Sequence, residues 1–166
     1  MTPPYGEYNE LSRRTTLTFW AKEHLPGNPV HFFIGHGPGA SRVQESGLDL
    51  ADTLAEKQYG GMKIGGTAVS ALLWGTGVIG LVAVLGLFFA AFRAAGHLSH
   101  FYQEEDRNLS GLFDGLRASI IVLTLSLAHK DFFAHHIPFQ TLVLLIFSFI
   151  VISQRQIGSL QAYSRQ

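Results

Sequence analysis

The stretch from Ile64 to Phe92 runs for twenty-nine residues without one ionisable side chain, and no small soluble domain is built around such a run. A helix of that length reaches roughly 43 Å at about 1.5 Å per residue, whereas a bilayer core needs about 20 residues. The surplus sits at the front, where Gly65, Gly66, Thr67, Ser70, Gly75 and Gly77 crowd together, while Val78 to Phe92 is dense in Leu, Val and Phe. The second half therefore faces lipid, and the first half packs on protein or lies at the interface. Gly86, Ala90 and Ala94 recur four apart: either a small-residue row for a neighbouring helix or the ordinary small residues of a span.

Composition agrees with a membrane protein carrying a polar portion: 47% of the 166 residues are hydrophobic, 14% are charged and thirteen are Phe. Lys and Arg equal Asp and Glu at twelve each, so no basic excess exists to neutralise a nucleic acid. The absence of cysteine excludes disulfides and iron–sulfur ligation. The opening residues, MTPPYGEYNELSRR, lack the basic-then-apolar order of a signal peptide.

The sequence predicts an all-α polytopic membrane fragment: an extramembrane segment over 1–63, three spans near 72–92, 112–128 and 137–153, and a tail over 154–166. The second span is the weakest, since it takes Asp114 and Arg117 into its first turns, where the two can pair and snorkel. The third is opened by Pro138, whose missing N–H costs nothing in a first turn. This order places 1–63 and the His129–His136 turn on one side, with Lys57, Lys63 and Lys130, and the other connections opposite, with Arg93, Arg107, Arg117, Arg155 and Arg165. The positive-inside rule slightly favours an external N-terminal segment. Histidines at 129, 135 and 136 beside Asp131 read as a solvent-facing turn rather than a metal cluster.

Within 1–63, Asn9 to Leu25 reads as a helix capped by Asn9 and stopped by Pro26-Gly27. At helical spacing Arg13, Leu17, Trp20 and His24 share a face, which is either directed at a ligand or a surface helix anchored by its Trp in the headgroup layer. Val30 to Ile34 has strand character and leads into Gly35-His36-Gly37-Pro38-Gly39-Ala40-Ser41-Arg42. Glycines at alternate positions admit positive φ and close approach of a ligand, and consecutive N–H groups beside Arg42 suit an anion such as phosphate. The strand plus Gly-x-Gly-x-x-Ala also matches a dinucleotide fingerprint with Asp52 or Glu56 as its acid, but the required βαβ unit would have to be built from residues that enter the membrane. A short helix is expected around Leu48 to Lys57.

The order Ser12-Arg13, Trp20, Gly35-His36-Gly37-Pro38-Gly39 and then Gly77-Val78-Ile79-Gly80 resembles the last third of the bacterial O-antigen polymerase and ligase family. In that family a large periplasmic loop carries such a stretch and ends in a span opening near Gly-x-x-Gly. The ligases place a His–polar pair at a fixed spacing before that element; here the positions are Gly66 and Thr67, which turns the resemblance toward the polymerases. Family members are also longer, so the chain looks like the C-terminal part of a larger protein or a truncated product.

The resemblance implies glycosyl transfer from a polyprenyl-pyrophosphate-linked glycan to another lipid-linked repeat, at the periplasmic face of the cytoplasmic membrane. In that scheme Arg13, Arg14, Arg42 and the glycines at 35, 37 and 39 hold the leaving pyrophosphate, Trp20 contacts substrate, and His24 or His36 is the base. No metal or other cofactor is required. The partners it implies are the lipid-linked glycan, the bilayer and other polysaccharide-assembly membrane proteins. For Arg13 and Arg14 headgroup contact, and for His36 a solvated turn, are the competing readings, and a non-catalytic membrane subunit or a ligase are the competing functions.

Overall fold

The computed structural model describes residues 13–25, 27, 29–41, 54–59, 64–129 and 136–163. Among these the chain is all-α. Its helices are α1 (Arg13–His24), α2 (Pro29–Ile34), α3 (Leu54–Tyr59), α4 (Ala68–Tyr102), α5 (Arg107–Ser126) and α6 (Ile137–Tyr163). Three of them, α4, α5 and the stretch Ile137–Ile157 of α6, are long and apolar enough to cross a membrane. The expected Asn9 cap and the residues of 48–53 lie outside the described residues. The chain divides into two compact units, one comprising 1–84 and 127–135, the other 85–126 and 136–166.

The first unit is organised by aromatic side chains. Trp20 of α1, Ala55 of α3, Ile64, and Leu73 and Trp74 of α4 are buried together, with Phe19, Phe32 and Tyr59 packed around them. Phe19 meets the Tyr59 ring edge-on at 5.3 Å and the Trp74 ring at 6.0 Å. The buried face of α1 is Thr16, Trp20 and His24, one turn apart each time, whereas Leu17 is 41% exposed. The expected grouping of Leu17 with Trp20 and His24 thus turns by about one residue, because the heavier aromatic side chains decide which face of α1 goes inward. Burial, followed by the Glu23 carboxylate and its hydrogen bond, pushes the Tyr59 hydroxyl above its ordinary range and ties α3 to α1.

Val30 to Ile34 is helical, not extended, and this corrects the strand reading. Five apolar residues carry no period that separates the two states, Pro29 presets the first helical φ, and no described segment offers a strand to pair with.

The α4 helix begins with a cap, the Ser70 N–H donating to Thr67 Oγ1 at 3.2 Å. It breaks at Gly77, whose φ of 66° and ψ of −166° are not helical. A break of this kind leaves the carbonyls of the preceding turn without partners inside the helix. Two of them, on Trp74 and Gly75, accept from the N–H groups of His36 and Gly37 at 2.8 and 2.9 Å.

In the second unit, Asp106 caps α5 by accepting from the N–H groups of Asn108 and Leu109 at 2.9 and 3.3 Å. Phe113, 1% exposed, stacks between Tyr102 and Phe149, each at 5.7 Å, and Phe88 meets Phe147 edge-on at 5.4 Å. Asp114 and Arg117 pair as the spacing suggested, Nη1 donating to Oδ1 at 3.3 Å. The small-residue row does not close on a neighbour at Gly86, where a Cβ would meet nothing within 4 Å.

Candidate functional site

The segment from α2 through the glycine turn lies against the broken start of α4, with no room for a side chain at Gly35 or Gly77. Gly35, Gly37 and Gly39 all take positive φ, at 74°, 100° and 87°. A Cβ on Gly35 would stand 2.6 Å from the Gly75 carbonyl, and one on Gly77 would run into the carbonyl oxygen of Phe33. These glycines therefore serve a backbone-to-backbone contact. The N–H groups of Gly35, His36, Gly37 and Ala40 donate to carbonyls of His31, Trp74, Gly75 and Gly37 respectively, so none of the four is open to an anion.

This contact brings three histidines together. His24 Nδ1 lies 2.8 Å from the Trp20 carbonyl, and because a carbonyl oxygen only accepts, that nitrogen carries the proton. In the neutral ring Nε2 is then bare, and it receives the Nε2–H of His36 at 2.9 Å. The neutral His36 ring consequently has a bare Nδ1. His31 donates from Nδ1 to the Gly35 carbonyl at 3.0 Å. Its ring stacks on that of His36 with centroids 4.1 Å apart and planes 13° from parallel. Rings laid face to face do not aim their lone pairs at a common point, which is not the geometry of metal ligation.

Indoles enclose the pair. His24 is 3% exposed, stacks on Trp20 at 5.0 Å and meets Trp74 edge-on at 4.9 Å. Burial first, then the neighbouring His31 and His24 imidazoles, lower the His36 pKa from 6.5 to about 4, so the ring is neutral at physiological pH. The pair can pass a proton. If His36 Nδ1 removes one from a hydroxyl, its Nε2–H crosses to His24 Nε2, and the resulting imidazolium lies against the Trp20 face, where a cation is favoured.

Of the residues singled out from sequence, the structure gathers Trp20, His24, Gly35, His36 and Gly37, with Gly39 in the same turn. Arg13 opens α1, but its side chain and that of Arg14 are not among those described, and Arg42 lies outside the described residues. Two members went unforeseen. His31 had only its place one turn before Gly35 to signal it, and Trp74 only its position in the small-residue front of the long span.

No protein-family model matches this chain, and neither a curated protein nor a solved structure is detectably similar to it.

Proposed function

We propose that the chain takes part in transfer of a glycan between lipid carriers, joining polyprenyl-pyrophosphate-linked repeats into a polymer, with His36 as the base that deprotonates the acceptor hydroxyl. One observation carries this reading: a neutral imidazole with a bare Nδ1, backed at 2.9 Å by a second imidazole that can take over the proton. The hydroxyl oxygen attacks the anomeric carbon, the bond to the pyrophosphate oxygen breaks, and the diphosphate leaves with the electron pair. Arg13, Arg14 and Arg42 are proposed to hold the charge on that leaving group. The N-terminal segment faces the periplasm in this reading, and other polysaccharide-assembly proteins are the partners.

The test is elongation of a polyprenyl-pyrophosphate oligosaccharide by the protein reconstituted in liposomes, followed as a ladder on a polysaccharide gel. His36→Gln is expected to slow elongation by about 100-fold or more, and Arg42→Ala to shorten the products. An unchanged ladder with His36→Gln overturns the assignment. One observation favours a second reading, a non-catalytic membrane subunit: the same histidine pair and the two N–H bonds to Trp74 and Gly75 also fasten the turn to α4. Absence of elongation by the wild-type protein, together with co-purification of other envelope proteins, selects that reading.

A further inference from the structure

The α2 helix is arranged inside out for a segment in water. Val30, Phe33 and Ile34, spaced to share one helical face, are 59%, 50% and 63% exposed. His31 and Phe32 turn the other way, His31 onto His36 and Phe32 onto Trp20 at 5.1 Å. An outward apolar face over inward imidazoles is the arrangement expected where the surrounding medium is hydrocarbon.

The depth of α2 follows from its attachment to α4. Arg93 is the first ionisable residue after Lys63, so it bounds the apolar part of the span at one end. Counting back about 20 residues, the length a bilayer core requires, sets the latest start of the hydrocarbon at Leu73. Gly77, against which the Phe33 carbonyl packs, then lies roughly 6 Å inside, and any earlier start of the span puts it deeper. Ile79 and Val82, just beyond, are 59% and 61% exposed and form the lipid-facing surface of α4. Val30, Phe33 and Ile34, on the segment held against Gly77, are exposed to a similar degree.

We infer that α2 is embedded in the outer rim of the bilayer, with Val30, Phe33 and Ile34 against acyl chains, so that the His24–His36 pair stands at the headgroup boundary rather than in the aqueous phase. A substrate reaching that pair must bring its reacting group to the membrane surface, as a molecule tethered to a lipid does. The placement itself does not depend on the transfer chemistry proposed above.

The sequence has no cysteine, so single nitroxide labels need no background changes. Val30→Cys, Phe33→Cys and Ile34→Cys are labelled in the full chain and reconstituted in phosphatidylcholine–phosphatidylglycerol liposomes. Ile79→Cys serves as the lipid reference, and Lys22→Cys, on the exposed side of α1, as the aqueous reference. Collision with oxygen and with a water-soluble nickel chelate is measured for each by paramagnetic resonance. All three α2 labels are expected to follow the Ile79 label, favouring oxygen several-fold over the chelate. Ready access of the chelate to positions 33 and 34, as at Lys22, overturns the inference. Immobilised labels shielded from both reagents overturn it too, since protein then covers the face. The three positions are read separately, so one variant that fails to fold does not decide the outcome, and elongation activity plays no part in the readout.

Discussion

His24 and His36 are joined nitrogen to nitrogen at 2.9 Å, and the Trp20 carbonyl decides which ring donates. With His24 Nδ1–H committed to that carbonyl, the neutral pair has a single arrangement of protons. Nitrogen-15 spectra of imidazole-labelled protein in nanodiscs at neutral pH are expected to show His24 and His31 protonated at Nδ1 and His36 at Nε2. A His36 ring protonated at Nδ1 would reverse the direction of the relay.

The same burial that frees the His36 lone pair makes this unit acid-sensitive. Its pKa is about 4 in the folded chain against an ordinary 6.5. As pH falls through 6.5 the unfolded chain takes up a proton first, so stability is full above about 6.5 and declines steadily toward 4. Thermal unfolding followed by circular dichroism should show the midpoint falling across that window in the wild type. In His36→Gln the fall should be smaller. A wild-type midpoint that is flat from 6.5 to 4 contradicts the burial of the ring.

Glycine substitutions separate backbone strain from backbone collision. Gly37 has a φ of 100° but open space where a Cβ would sit, so Gly37→Ala bears the left-handed cost alone, roughly 1–2 kcal/mol. Gly35 and Gly77 combine positive φ with a Cβ position already filled by backbone atoms, which cannot rotate aside. Gly35→Ala and Gly77→Ala are each expected to cost about 3 kcal/mol or more. Detergent-resistant proteolysis and thermal melts check the order. Equal losses at 37 and 77 would mean that the turn is not seated on α4.

The three long helices were legible because a membrane imposes a rule that a sequence displays directly, some 20 uncharged residues between polar ends. The Asp114–Arg117 pair was legible for a related reason, since both partners lie within one turn and helical spacing alone brings them together. The α2 helix was not, because Val30 to Ile34 is too short to show a period and its state is settled by Pro29 and by docking to α4. The histidine site was half legible. The turn glycines announced close backbone approach, but the approaching partner is Trp74 to Gly77 rather than an anion, and nothing local to residues 35–39 points across nearly forty residues to a break in a helix. His31 carries no local signal for the same reason, its role being set by the ring of His36 beyond the end of its own helix.

Arg117 offers a contrast between an ion pair and a packed cation. Its pairing with Asp114 is not enclosed by protein, with side chains 38% and 58% exposed, and exposed pairs in water contribute about 0–1 kcal/mol. On its other side the guanidinium stands 4.7 Å from the Phe92 ring centroid, over Gly96, where a Cβ would come within 3.4 Å of Nε. Its Nε is buried with no hydrogen-bond partner among the described residues, so this face is held by the ring and the fit and not by polar pairing. Asp114→Asn is therefore expected to change stability in detergent by no more than about 0.5 kcal/mol. Gly96→Val pushes the guanidinium off Phe92 and should cost roughly 1–3 kcal/mol. Thermal melts of the two variants at low and high salt distinguish the contributions: a large, salt-sensitive loss with Asp114→Asn would make the carboxylate, and not the aromatic seat, the contact that holds Arg117.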